Sequence, residues 1–277
     1  MDVSEVGQVI GSTTRWHLGP GTVLLAIVLV ACEVVHDPET QVTPQRPTYS
    51  SSTTTTAYRT LELEAGLSVD PNDSVDTPTT WKYGAGSATE LFVGWSPYRH
   101  LDREGADGHG PGDLSIGTRH RFWEETSGRP AAALQLATKL PTGSQSQGLS
   151  SGEVDFFAAG ILSKDFEAIS LTGFYQLGVL GEPDDSEVDL EHGLALAAGA
   201  PIVKELSAFA ELAAIYDREQ DFDSVFTTWG LALAVGPGLV LDAGAAFGLN
   251  HDAPDFQLLI GLTFNPGLEL RSNAGAE

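Results

Sequence analysis

The sequence predicts an all-β chain, closed into an antiparallel up-and-down transmembrane β-barrel of about twelve strands. Three observations carry this expectation: a period-two pattern, an alternation of long and short connections, and aromatic residues near strand ends. The pattern is clearest over Pro237–Phe264. Leu239, Leu241, Ala243, Ala245, Phe247 and Leu249 alternate with Asp242, Gly244, Gly248 and Asn250. After a polar turn at His251–Pro254, Phe256, Leu258, Ile260, Leu262 and Phe264 alternate with Gln257, Gly261 and Thr263. Period two means strands, and the turn makes them a hairpin. A face this small and polar does not pack as a dry core. It suits a wet lumen, with the apolar face turned to lipid.

The same alternation opens the barrel region at Leu61–Val69, where Glu62, Glu64, Gly66 and Ser68 share one face. Further strands are expected at 79–83, 88–98, 113–123, 131–140, 154–162, 166–179, 188–198, 205–216, 224–235, 238–250 and 255–264. Val154–Leu162 and Ser224–Val235 are apolar on both parities, and His192 falls on the lipid parity. Connections 70–78, 99–112, 141–153, 180–187 and 217–223 are long, whereas 84–87, 163–165 and 236–237 are short. Outer-membrane barrels show this asymmetry, with long loops outside and tight turns on the periplasmic side. Trp81, Tyr83, Trp95, Tyr98, Phe122, Tyr175, Tyr216 and Phe264 fall near strand ends, as interface girdles do.

The 277 residues suffice for one sizeable domain, and a formal charge of -24 argues against nucleic-acid binding. Mean hydropathy of -0.04 fits a barrel, since only alternate residues meet lipid. Thr22–Ala31 is too short to span a bilayer as a helix and fits the apolar region of a secretory signal. Asp2 and Glu5 weaken its basic end, as a start codon placed too early would explain. Leu29-Val-Ala-Cys32 resembles a lipobox, which makes Cys32, the single cysteine, the expected lipidation site. An ordinary cleavage site is the alternative. The expected organisation is a signal and lipobox segment (1–32), a disordered Ser/Thr/Pro linker (33–58), the barrel (59–265) and a C-terminal tail (266–277).

Parity turns several ionisable groups inward. Lys82, Arg119, Arg121 and Lys139 belong to early strands; Glu62, Glu64, Asp189, Glu191, Glu205, Glu211 and Asp242 belong to the first and later strands. The expected lumen-lining set is Glu62, Glu64, Lys82, Arg119, Arg121, Lys139, Glu191, Glu205, Glu211 and Asp242. Two arrangements follow: a basic wall facing an acidic one, with a transverse field, or local pairs that plug the lumen. The loop His100–His109 holds hard oxygen ligands and two His, but mobile polar loops look the same without a metal. No Gly-x-Ser-x-Gly, His-Glu-x-x-His or P-loop is present, and Ser115 and His120 lie on opposite parities. No catalytic residue, metal or cofactor is expected.

Leu61-Glu-Leu-Glu-Ala-Gly, Trp81-Lys-Tyr-Gly, Glu90-Leu-Phe-Val-Gly-Trp, Gly112-Asp-Leu-Ser-Ile-Gly, Lys139-Leu-Pro-Thr-Gly and Ala253-Pro-Asp-Phe-Gln-Leu-Leu-Ile-Gly-Leu-Thr-Phe occur in order along 58–265. Together they resemble the outer-membrane β-barrel family labelled phenol meta-pathway or transporter. The resemblance implies a transmembrane barrel in the bacterial outer membrane, with a transport role toward hydrophobic or aromatic compounds. It brings no catalytic residues. The lipobox departs from the family pattern. So does the stretch after Phe264, since barrels commonly end on the aromatic that the barrel-assembly machinery reads. The leading expectation is passive passage of a small-molecule solute, with outer-membrane lipid and the assembly machinery as partners. A non-conducting structural barrel and a lipid-tethered periplasmic β-sandwich that binds a partner are the alternatives.

Overall fold

The computed structural model describes residues 42–103, 106–181, 188–217 and 222–267. The signal segment, Cys32, parts of two acidic loops and the tail from 268 lie outside the described residues. The strands are β1 (Leu61–Asp70), β2 (Ser74–Asp76), β3 (Thr79–Gly86), β4 (Thr89–Trp95), β5 (Arg99–Arg103), β6 (Ala106–Gly110), β7 (Leu114–Trp123) and β8 (Ala131–Leu140). They continue with β9 (Asp155–Phe166), β10 (Ile169–Gly181), β11 (Val188–Pro201), β12 (Leu206–Asp217), β13 (Phe222–Gly236), β14 (Leu239–Gly248) and β15 (Phe256–Phe264).

Twelve strands form a ring in the order β1-β3-β4-β7-β8-β9-β10-β11-β12-β13-β14-β15. Antiparallel pairing of β15 with β1, from Leu63↔Phe264 to Val69↔Leu258, closes it. Closure leaves no sheet edge in the wall, which is how a barrel satisfies its backbone in a bilayer. The remaining strands β2, β5 and β6 extend β1 as a side ribbon at the end with the long connections. By the general asymmetry of such barrels, that end is outside and the tight turns β3–β4, β9–β10 and β13–β14 are periplasmic.

Outward side chains are apolar. Leu194, Leu196, Leu212, Trp229, Leu231, Leu258 and Ile260 are all exposed. Between the rims, the outward parity of the described ring strands carries no Asp, Glu, Lys or Arg. This is a lipid-facing surface, and the fold is a transmembrane barrel of the bacterial outer membrane. Glu211 and Leu212 show the rule on adjacent residues: Glu211 is 2% exposed inside and Leu212 is 52% exposed outside. Leu212→Arg is therefore expected to cost about 2–4 kcal/mol, read from unfolding midpoints in lipid vesicles. His192 is outward, and its Nδ1 lies 2.9 Å from the Tyr175 hydroxyl. That contact gives one of its two ring nitrogens a polar partner on the outward face.

The structure moves several boundaries. The expected turn at 163–165 is strand, and the chain reverses at Glu167-Ala168, with Glu167 at φ 31°. Ser163 continues the ladder because it faces inward and bonds the Thr172 hydroxyl at 2.9 Å. The loop expected over 99–112 contains the β5–β6 hairpin, with His100 opposite His109. No group of three or more metal-ligating side chains occurs among the described residues.

Candidate functional site

Residues 42–60 run inside the ring. They touch β1 through Glu62, β4 through Glu90, β7 through Arg119, β9 through Ser163, β10 through Gln176, β12 through Glu211 and β14 through Asp242. Only a segment within the lumen can reach strands spaced around the whole ring. Thr43 and Thr56 lie at the height of Glu62 and Glu90, near the periplasmic rim, and Arg46 to Ser50 form the crest. The segment is thus a loop inserted from the periplasmic side.

This corrects the linker expected over 33–58 for its described part, 42–58. Ser/Thr-rich backbone with no apolar period has nothing to pack, but it has amide donors that must be satisfied. The barrel supplies the acceptors. Glu62 accepts from the Thr43 N–H at 3.2 Å and hydroxyl at 2.9 Å. Glu64 accepts from the Gln45 N–H at 2.7 Å, and Glu90 from the Thr56 N–H at 2.8 Å and hydroxyl at 2.7 Å. Glu211 takes the Tyr49 N–H at 2.7 Å, the Ser50 N–H at 2.9 Å and the Ser50 hydroxyl. Charge-assisted bonds of this kind are the stronger ones.

Basic groups complete the neutralisation locally. Lys82, 2% exposed, lies 2.9 Å from Glu62 and 2.8 Å from Glu64, and donates to the Thr43 carbonyl at 2.6 Å. Arg119 stands 3.5 Å from Glu90 and donates to Gln135 and to the Thr54 carbonyl. Arg46 pairs with Asp242 at 3.6 Å and donates to the Ile260 carbonyl at 3.1 Å. Of the two expected arrangements, local pairing is the one formed; the early bases meet early acids rather than facing a distant wall.

Of the expected lining residues, Glu62, Glu64, Lys82, Arg119, Glu211 and Asp242 are buried and gathered around the inserted loop. Arg121 pairs with Glu124 at the periplasmic mouth. Lys139 lies at the outer mouth between Asp113 and Asp155, with Glu191 inward on β11. Glu205 is exposed in the β11–β12 turn, because β12 begins only at Leu206. Sequence reasoning missed Glu90, Arg46, Tyr49 and Gln176. Glu90 was within reach, since it alternates with the outward Leu91, Val93 and Trp95.

Glycines mark where the loop presses on the wall. Gly66 and Gly261 are cross-strand partners, and a Cβ on either would collide with the Arg46 guanidinium. A side chain there removes the notch that holds Arg46. Gly66→Val is expected to leave the ring intact and to strip hydrogen-exchange protection from the Gln45, Tyr49 and Ser50 amides. Unchanged protection would contradict the notch.

Two cavities flank the crest. One of about 560 Å³ opens among Arg46, Thr48, Ser50, Phe166, Ser170 and Phe209 toward the periplasmic end. The other, about 440 Å³, lies among Arg46, Thr48, Asp76, Arg99, Leu101 and Pro254 toward the outside. Arg46 and Thr48 line both cavities and Pro47 lines the second, so the two adjoin at this short stretch.

A closed lipid-facing ring with a polar lumen, filled from the periplasmic side by its own N-terminal segment, defines an outer-membrane β-barrel. Residues 36–265 match the family described as "Putative MetA-pathway of phenol degradation", and the chain belongs to that family. None of the curated proteins matches it. Among solved structures, it is similar to an outer membrane channel from Pseudomonas putida F1 at 10% identity and TM-score 0.65, covering 79% of this chain and 100% of that one. It is also similar to the KdgM porin, at 5% identity, TM-score 0.53 and coverage of 73% and 98%. The translocator domain of the autotransporter NalP from Neisseria meningitidis shares 11% identity, with TM-score 0.51 and coverage of 74% and 88%. At these identities the likeness concerns the fold.

Proposed function

We propose that the chain is a passive outer-membrane channel for small molecules, hydrophobic or aromatic ones included, and that it performs no chemistry. The observation that carries this reading is the pair of cavities that share Arg46 and Thr48 in their linings. On this reading, two chambers that meet at a few residues of non-strand backbone become one path when that loop shifts. Passage is then governed by pore width and the groups lining that stretch. Membership in the family and the barrel fold support the reading. The lumen-lining role of Glu62, Glu64, Lys82, Arg119, Arg121, Lys139, Glu191, Glu211 and Asp242 is part of the same proposal.

Planar-bilayer recording of the refolded chain tests it. Discrete conductance steps are expected; a folded barrel that stays silent would favour the non-conducting structural alternative. Acylation of Cys32 and barrel-assembly partners belong to the proposal as well. A lipid at Cys32 would anchor the chain in the periplasmic leaflet, about ten residues from where the inserted loop begins, a reach of roughly 33 Å at full extension. Mass spectrometry of the mature N-terminus decides this: diacylglyceryl and acyl additions on Cys32 support it, and an unmodified N-terminus excludes it.

A further inference from the structure

The side chain of Tyr49 fills a niche in the barrel wall that is unlike the rest of the lumen. Its ring meets Phe174 edge-on at 5.7 Å and 80°, and Phe226 at 6.1 Å and 85°. Ile161 and Ala213, each 1% exposed, belong to the apolar cluster against which it packs. The Gln176 amide donates to its hydroxyl at 3.3 Å. The hydroxyl also lies where a Cβ on Gly193 would stand. Ala159 and Ile161 on β9 and Phe226 on β13 are inward apolar residues of this niche, which contributes to both strands reading as apolar on both parities.

We propose that this niche is a binding site for one uncharged phenolic ring, and that Tyr49 occupies it as a self-ligand which such a solute displaces. Two orthogonal phenyl faces select an aromatic ring. Gln176 and the space above Gly193 select a hydroxyl at its far end. Glu211, which accepts the Tyr49 N–H at 2.7 Å, and Glu191, inward on β11 two residues from Gly193, put negative charge beside the niche, so a benzoate anion meets repulsion where a neutral phenol does not. The occupant is carried on a loop held by hydrogen bonds rather than by strand pairing. Its neighbours Thr48 and Ser50 border the periplasmic cavity, where a free solute would arrive. Withdrawal of Tyr49 from the niche loosens the amides that Glu211 holds, so solute binding and movement of the crest are one event. This inference rests on the channel reading for its purpose, but not for its test.

Calorimetric titration with p-cresol, whose ring and hydroxyl reproduce the Tyr49 side chain, tests it on the refolded full chain. Tyr49→Ala, checked for folding by heat-modifiable mobility, is expected to bind one p-cresol. Wild type and Tyr49→Phe, whose niche stays filled, are expected to bind at least ~10-fold more weakly, since the site is free for only part of the time. Toluene is expected to bind Tyr49→Ala ~5-fold more weakly than p-cresol, a difference that Gln176→Leu abolishes. Failure of folded Tyr49→Ala to bind p-cresol saturably would overturn the site, as would equal binding by Tyr49→Ala and wild type. Conductance is recorded on the same preparations. A silent barrel that binds p-cresol supports the niche and overturns the channel, whereas a conducting barrel that does not bind overturns the niche alone.

Discussion

Deletion of residues 43–57 is expected to raise single-channel conductance severalfold and to shift selectivity toward cations. The ring should survive, because its twelve-strand ladder contains no residue of the inserted loop. What changes is the lumen. Glu62, Glu64, Glu90 and Glu211 lose the N–H donors of Thr43, Gln45, Thr56, Tyr49 and Ser50, and Asp242 loses Arg46. Water enters and hydrates these carboxylates, so their exposure costs little. Lys82 and Arg119 then stand against a larger number of acids, and a pore lined this way concentrates cations. The reversal potential in a KCl gradient reads the sign. Conductance equal to wild type would mean that ions bypass the loop, and a shift toward anions would mean that the carboxylates do not line the path.

Lys82→Met is expected to destabilise the folded barrel by about 3–5 kcal/mol. Lys82 lies within 3 Å of both Glu62 and Glu64, and it also holds the Thr43 carbonyl. Methionine fills similar space but leaves two buried carboxylates facing each other. They must take up a proton or draw in water, and either way the start of the inserted loop loses its anchor. Adding Glu62→Gln and Glu64→Gln to the same chain should recover most of the loss, since the uncompensated charge is then gone. Urea midpoints of the barrel in vesicles measure both effects. A Lys82→Met barrel as stable as wild type would show that this triad is solvated.

The wall was legible because lipid and water impose a two-residue period on every strand that separates them. That constraint is local, and it located Glu211 inside and Leu212 outside without any knowledge of pairing. Ring closure was legible only through connection lengths; the pairing of Leu63 with Phe264, from opposite ends of the barrel region, was not. The inserted loop was not legible. Thr43, Tyr49 and Thr56 carry no period, and their acceptors Glu62, Glu211 and Glu90 lie 19, 162 and 34 positions away. Composition describes a segment's own capacity to pack, and says nothing of acceptors waiting on another part of the chain. The clue that existed was the double apolar parity of 154–162 and 224–235, whose inward Ile161 and Phe226 belong to the cluster that holds Tyr49. Glu205 was misplaced for an ordinary reason: alternation continues formally into a turn, and parity alone does not mark where the ladder stops.

The central claim is that the crest of this loop stands in the path between the two chambers. Thr48 borders both of them, so a thiol at that position probes the claim most directly. In a Cys32→Ser background, Thr48→Cys channels recorded in a planar bilayer are treated with a bulky, water-soluble methanethiosulfonate. Open channels are expected to react, and their conductance to fall in single steps that reducing agent reverses. Reaction with no change in current would contradict it.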